Sequence, residues 1–596
     1  MKRVSNLPLV CASGIVRLLQ WHHPIGVRIG IPFVMPGNMD MTLDTKRLIY
    51  RFRTAKADAW TIGAVVLSAC IVLPVAAVLY LAFNPTENIW PHLLSTSLPG
   101  YIHNSLFLML GVGVMVSLIG VTNAWLVTMC RFPGRQQFEC LLTLPFAVPA
   151  YVIAYIYTDL LEYAGPVQAL LRHVFGWQRP SDYWFPEIRS LGGATLVMSL
   201  VLYPYVYLLT RSAFLDQSPA MIDASRVMGY GPWRSFLRIS IPLARPAIAI
   251  GLALTLMETL NDFGTVDYFA VRTLTAGIYD VWLGMGNLGG AAQIAAVMLL
   301  FISLLVMTEL SGRRRQRYYQ ADQRFKTMPT YPLKGWRALV AMLCCALPVV
   351  LGFLIPGMVL LAYTIESWQA SWTPEFRTYA TNSVLLSAAA GLATTVLACV
   401  LAYGQRIRGH AVVKIAHRMG SLGYAVPGAV LAIGIIIPLA KFDNTVDAWM
   451  RQYVGISTGL ILSGSVFALL YAYVVRFLAI SLGAIEASLD KIAPDIDMAA
   501  RTLGHKPGMI FLRLHLPLIR GGALTAGLIV FVDCMKELPT TLILRPFNFE
   551  TLATQVYQFA SDELIEQASL GALSIVLCGL IPVTLLVRTI AKSREL

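Results

Sequence analysis

A chain of 596 residues that is 57% hydrophobic and only 13% charged, with mean hydropathy +0.65, is too apolar for a soluble globular protein, in which about a quarter of residues carry charge. Its formal net charge of +14 does not point to nucleic acid, because the basic residues fall in short loops between apolar runs, where they set membrane orientation. The nine cysteines form no C-x-x-C and no metal-binding spacing, and read as small core hydrophobes in a lipid bilayer protein.

Residues 1–58 carry Lys2, Arg3, Arg17, Arg28, Lys46, Arg47, Arg51, Arg53 and Lys56. Their apolar stretch, Leu7–Val16, is too short to cross a hydrocarbon core of about 30 Å. Cleavage as a signal peptide would export a basic segment against the positive-inside rule. They read as a basic, poorly ordered cytoplasmic leader, or as sequence ahead of a true start at Met39 or Met41.

The first uncharged run, Ala59–Phe83, meets the requirement of about 20 residues for a transmembrane helix. Further spans are predicted at 104–130, 141–162, 192–210, 243–264 and 288–308, then at 338–365, 378–404, 419–440, 457–480, 519–538 and 567–587. The expected fold class is an all-α integral membrane protein of about twelve spans, six in each half. Pro145, Pro149 and Pro427 are set to kink the third span of each half. The segment 163–190 is amphipathic, and Gly165-Pro166 marks the start of a short interfacial helix. The tyrosines Tyr151, Tyr155, Tyr157, Tyr203, Tyr205 and Tyr207 read as interfacial belts and helix packing rather than as a substrate box.

Loop charge gives the topology. With the N-terminus inside, the inward loops hold Arg131 and Arg135, Arg226, Arg234 and Arg238, the cluster Arg313, Arg314, Arg315 and Arg317, then Arg406, Arg408, Lys414 and Arg418, and the tail with Arg588, Lys592 and Arg594. The outward loops are poorer in Lys and Arg, apart from Arg172, Arg179 and Arg189 in 163–190. Both termini are therefore expected in the cytoplasm.

The stretch Asp223–Pro242, DASRVMGYGPWRSFLRISIP, recurs 275 residues later as Met498–Pro517, MAARTLGHKPGMIFLRLHLP. The copies share Ala224 and Ala499, Gly229 and Gly504, Phe-Leu-Arg at 236–238 and 511–513, and Pro242 and Pro517. Gly229 and Gly504 fit a turn between two short helices, and Pro242 and Pro517 the beginning of the next span. Other matches extend the repeat: Tyr101-x-x-Asn104-Ser105 with Tyr379-x-x-Asn382-Ser383, Ala147-Val148-Pro149 with Ala425-Val426-Pro427, and Leu274–Tyr279 with Leu552–Tyr557. Two halves of six spans with the same loop facing inward form a parallel repeat about an axis along the membrane normal. The organisation read from this is a leader at 1–58, a first permease-sized unit at 59–310, a basic cytoplasmic linker at 311–337 and a second unit at 338–596.

The repeated block resembles the EAA loop of binding-protein-dependent ABC importer permeases, in the form E-A-A, three residues, G, nine residues, I-x-L-P. Asp223-Ala224-Ser225, Gly229, Ile239 and Ile241-Pro242 carry the likeness in one copy, and Ala499-Ala500, Gly504, Leu514 and Leu516-Pro517 in the other. Met498 departs from it by removing the acid. The resemblance covers about residues 59–596, in the form where two units are fused. It implies a bacterial inner-membrane subunit whose two loops dock on a cytoplasmic ABC ATPase dimer and whose outer face receives a periplasmic substrate-binding protein. No G-x-x-x-x-G-K-[ST] loop is present, so the chain is expected to be no enzyme by itself and to bind no cofactor, the ATP being used by the partner.

After each block an apolar run ends on carboxylates: Glu258 and Asp262 in the first half, Asp533 and Glu537 in the second, with Lys536 beside them. Spacing of i, i+4 would put each pair on one helix face. An ionisable group at that depth costs about 2–3 kcal/mol, so it should face protein or water. Two readings stand at this point: the four line a translocation cavity, or the helices end early there and the carboxylates pair locally. Neither a catalytic set nor a metal site is assigned. The segments Glu258–Phe269 and Tyr183–Arg189 look like those of ferric iron permeases; thiamine and polyamine importers share the architecture. A secondary transporter of the major facilitator type also has twelve spans in two parallel halves, but its Gly- and Arg-rich loop is only faintly echoed at Arg131–Arg135 and Arg406–His410.

Overall fold

The computed structural model describes residues 59–217, 219–316, 330–407, 411–420 and 423–592. The leader 1–58, the part 317–329 of the linker 311–337, and the basic residues Arg408 and Arg594 lie outside the described residues. The architecture is all-α, and the strand pairing among the described residues is a two-residue contact of Cys130–Arg131 with Tyr331–Pro332.

Eleven helices among the described residues are long and apolar enough to cross a membrane; a twelfth span is made of two pieces, Arg135–Ala147 and Ala150–Phe175, that meet at 90°. The segment expected as the third span of the first half is thus two helices bent at 90° and not one kinked helix. Pro149 takes the N-cap position of Ala150–Leu161 with φ −62° and ψ 141°, and Pro427 does the same for Gly428–Tyr453 with φ −60° and ψ 147°. A residue with no N–H is harmless ahead of the first helical hydrogen bond, which is why the prolines sit at helix starts and not inside. Gly165 caps the short helix Pro166–Phe175 as the sequence suggests, and that helix leaves Leu170, Val174 and Phe175 exposed.

The two halves exchange their first helices. Ala59–Phe83 turns Ala64, Ile71 and Val78 into an apolar cluster that contains Val413, Ala416 and Val430 of the second half. Ser68 Oγ donates to the Ala416 carbonyl at 2.8 Å across the same contact. Reciprocally, the span Trp336–Ser371 places Ala341, Cys345 and Val349 in the cluster of Tyr203 and Tyr207. Tyr157 donates to the Leu351 carbonyl at 2.7 Å, and Tyr363 to Asp159 at 2.5 Å. The repeated units start at 59 and 338, and in space each first helix reaches across to the other unit while staying packed on the last helix of its own, Leu288–Gln316 or Ile565–Lys592.

A second cross-check of the repeat is electrostatic. In the first half Arg211 on Leu191–Leu215 reaches Glu139 on Arg135–Leu141 at 3.1 Å. At the corresponding junction His417 on Ala411–Gly420 stands 2.6 Å from Glu486 on Val466–Leu489. An acid–base contact is kept while the order of its partners is reversed.

The exchanged helix is gripped by backbone contact. A Cβ added at Gly434 would lie 2.2 Å from the Pro74 carbonyl oxygen, whereas one at Gly357 would meet nothing within 4 Å. Gly434→Ala should therefore cost about 1–3 kcal/mol of overpacking, and Gly357→Ala should stay within about 0.5 kcal/mol of the parent. Thermal unfolding of the two purified variants in one detergent is the measurement.

Candidate functional site

The helix Ile241–Asn261 and the helix Leu516–Met535 both stop where the carboxylates begin. Asp262 is the C-cap of the first, with ψ 132°, and its side chain starts the next short helix by accepting from Thr265 N at 2.9 Å, Thr265 Oγ1 at 3.0 Å and Val266 N at 3.3 Å. Glu537 follows the end of the second and accepts from Thr540 Oγ1 at 2.7 Å. The expected i, i+4 face is therefore not formed: a carboxylate that satisfies the orphan N–H groups of a new helix start ends the old helix.

The four carboxylates nevertheless line one cavity of about 120 Å³, together with Asn261, Tyr151, Tyr205, Phe146 and Phe263 from the first half and Tyr424, Arg476, Phe477 and Lys536 from the second. The helices end early, as one of the two sequence readings had it, and those ends are what bring the groups to a common space. Each carboxylate has a partner. Tyr424 donates to Glu258 Oε1 at 2.5 Å, and its hydroxyl lies 3.2 Å from that of Tyr205. Asp533 pairs with Lys536 at 2.9 Å, and Arg476 Nη1 reaches Glu537 Oε1 at 2.7 Å with both side chains 5% exposed. Contacts that cross between the halves include Tyr424 to Glu258 and Tyr205, and Gly428 N to Asn261 Oδ1 at 2.8 Å. Among the described residues no group of three or more His, Cys, Asp and Glu has the arrangement to hold a metal ion.

Sequence reasoning passed over Arg476 and Tyr424. The signal for Arg476 was present, because an arginine in the middle of the apolar run Val466–Leu489 must face protein or water; Tyr424 carries no such mark. Tyr151 and Tyr205, expected as packing residues, line the cavity. Tyr203 and Tyr207 are fully buried between helices, as expected.

The repeated blocks fold alike. Pro219–Val227 and Pro232–Ser235 flank Gly229, and Pro494–Thr502 and Pro507–Ile510 flank Gly504. The two glycines have φ +77° and +81°, the left-handed conformation that costs other residues about 1–2 kcal/mol. The expected span starts at Pro242 and Pro517 move: the apolar helices already begin at Pro232 and Pro507. A π-helical turn precedes each proline, at Phe236–Ser240 and Phe511–His515, and its wider hydrogen-bond spacing makes room for a ring without an N–H inside a continuous helix. Phe236 packs on Trp125 and Phe511 on Tyr403, both at 4.8 Å between ring centroids. Equivalent apolar residues face out in both blocks: Met228 and Leu503 are 61% and 77% exposed, Leu237 and Leu512 60% and 62%.

The acidic positions differ as their residues do. Ser225 and Ala500 are buried, and Ala224 and Ala499 are exposed. Asp223 is exposed and 3.6 Å from Arg226, while Met498 is 57% exposed. Asp497, one residue earlier and so about 100° around the helix, points inward to Arg406 at 2.7 Å and His515 at 2.5 Å. Arg406 also donates to the carbonyls of Leu489 at 2.6 Å and Ile492 at 2.8 Å, which staples the second block to the helix Pro374–Ile407. In the first block the residue at the position of Asp497 is Ile222.

Burial by itself would raise the Asp497 carboxyl, but the hydrogen bonds from Arg406 and His515 outweigh it and hold the group below the usual carboxylate range. A depressed carboxylate contributes fully above its ordinary value of about 4 and loses that contribution as the pH falls through the lower folded value. Protease cleavage within 490–506 should therefore rise in acid below about pH 4 in the parent and be high already at neutral pH in Asp497→Asn. Limited proteolysis across a pH series, with the first block as internal reference, measures this.

Residues 117–317 match the family described as the binding-protein-dependent transport system inner membrane component. The chain is 26% identical over 497 residues to the Fe(3+)-transport system permease protein FbpB 2 of Haemophilus influenzae, which covers 81% of this chain and 89% of that protein. It is 29% identical over 215 residues to the molybdenum transport system permease protein ModB of Escherichia coli, covering 35% of this chain and 90% of the relative. To the sulfate transport system permease protein CysT of Escherichia coli it is 24% identical over 267 residues, covering 43% and 93%. The latter two match well under half of this chain at nearly their own full length, in keeping with two units in one polypeptide.

Proposed function

We propose that this chain, whose residues 117–317 belong to the family of binding-protein-dependent transport system inner membrane components, is the permease of an ABC importer for ferric iron in a bacterial inner membrane. The cavity carries the choice of cargo. Four carboxyl groups against two basic side chains, Arg476 and Lys536, disfavour a dianion such as sulfate by Coulomb repulsion in a space of lowered dielectric and favour a cation, in line with the Fe(3+)-transport relative. The aromatic lining, Phe146, Tyr151, Tyr205, Phe263, Tyr424 and Phe477, also suits an organic cation of the thiamine or polyamine kind, which is the second reading.

The reading places both termini and both repeated blocks in the cytoplasm, with an ABC ATPase dimer on the blocks and a periplasmic binding protein on the opposite face. A dimeric partner needs two like surfaces, and the matched exposed pairs Met228 with Leu503 and Leu237 with Leu512 supply them. Transport then proceeds by alternating access: the ATPase, gripping both blocks, shifts the balance between two arrangements of the helices around the cavity. The absence of a phosphate loop in the sequence assigns ATP hydrolysis to that partner.

Reconstituted with its ATPase and binding protein in liposomes, the chain should take up radioactive ferric iron only with ATP. Uptake of spermidine or thiamine in its place moves the assignment to the second reading, and uptake driven by a proton gradient without ATP contradicts the importer class. In the same system Asp223→Lys should lower ATPase co-purification at least several-fold and Met498→Lys far less, because only Asp223 presents an acid outward.

A further inference from the structure

Two basic side chains line the cavity, and they are held differently. The Arg476 guanidinium is 5% exposed and bonded to the equally buried Glu537. Lys536 is 25% exposed; its ammonium stands 2.9 Å from Asp533 and 4.7 Å from the centroid of the Phe146 ring. A carboxylate on one side and an aromatic face on the other are the two features by which proteins receive a cation. The ammonium thus sits in a ready cation position, on the end of a four-carbon stem with freely turning bonds. A second observation marks the same space as receptive to a ligand: Tyr151 lines the cavity, is 4% exposed, and its buried hydroxyl has no hydrogen-bond partner. The repeat sharpens the point, since the residue matching Lys536 in the first half is Asn261, whose side-chain oxygen is committed to Gly428 N.

We propose that Lys536 is a tethered stand-in for the cargo cation, which compensates Asp533 in the arrangement described here and is displaced by an incoming hard cation. The inference rests on the reading of the cavity as a cation path. A trivalent ion at the same distance attracts Asp533 with three times the Coulomb energy of an ammonium, and the flexible stem lets Lys536 leave without disturbing the helix end. On this account Lys536 lowers the affinity of the cavity for cargo, so that the ion passes through and is not trapped.

The test uses terbium(III), a hard trivalent ion whose emission is sensitised by nearby tyrosines, here Tyr151, Tyr205 and Tyr424, titrated into the purified full chain in detergent. Lys536→Met should bind terbium about tenfold more tightly than the parent, since one positive charge has been removed from the site. The double variant Asp533→Asn/Lys536→Met, which removes the acid as well, should return to within about twofold of the parent. Should Lys536→Met fail to fold, Lys536→Gln takes its place. Equal or weaker binding by the single variant overturns the proposal, as does a double variant that binds as tightly as the single one. ATP-driven uptake by the reconstituted parent, measured alongside, reports on the importer reading separately: uptake with no effect of Lys536 on terbium sinks only this inference.

Discussion

Carboxylates at membrane depth impose the constraint on which the rest of this structure depends. Each must find a partner, because water is scarce there and an unpaired charge is costly. Glu258 at the end of one half finds its partner in Tyr424 of the other, and Asn261 takes the N–H of Gly428 at the start of the helix Gly428–Tyr453. The helix ends that carry the acids are thereby tied to the opposite half, and the cavity lies where those ties converge. The exchange of first helices serves the same end at larger scale, with Ala59–Phe83 and Trp336–Ser371 each packed against the other repeat.

The two repeated blocks are braced by different chemistry. In the second, a buried network of Arg406, Asp497 and His515 fixes the block to a neighbouring helix end. In the first, a hydrogen bond between the hydroxyls of Ser225 and Ser235 at 3.1 Å and the stacking of Trp233 on Trp125 at 5.3 Å do the bracing. The outward acid survives only in the first block, at Asp223. A partner with twofold symmetry would meet matched apolar surfaces on both blocks but an ionic contact on one.

Much of this was legible in the amino-acid order, because long apolar runs and a twenty-residue repeat are strong signals that local context does not override. The turn at Gly229 and Gly504 and the cap at Gly165 follow from residue type and helix geometry alone. The spacing of Glu258, Asp262, Asp533 and Glu537 left open a cavity lining or early helix ends with local pairing; the structure has the early ends, because Asp262 caps the next helix, and the shared cavity follows from them. The start of the fifth spans was misjudged because Pro242 and Pro517 look like helix starts, and the π turn that lets each sit inside a helix has no sequence signature. The exchange of first helices was not visible at all, since nothing in an apolar run states which neighbour it will meet.

The central claim is that the cavity between Glu258 and Tyr424 lies on the transport path and must open between the halves. Its most direct measurement is a cysteine pair, Glu258→Cys with Tyr424→Cys, in a chain whose nine native cysteines are replaced, bridged by a bifunctional thiosulfonate in liposomes that contain the ATPase and binding protein, because side chains that meet at their tips hold their Cα atoms farther apart than a direct disulfide spans. The account predicts that the bridge forms in the absence of ATP, that it stops the ATP-driven iron uptake of the unbridged double variant, and that reduction returns uptake to that level. Unchanged uptake with the bridge intact would contradict the account.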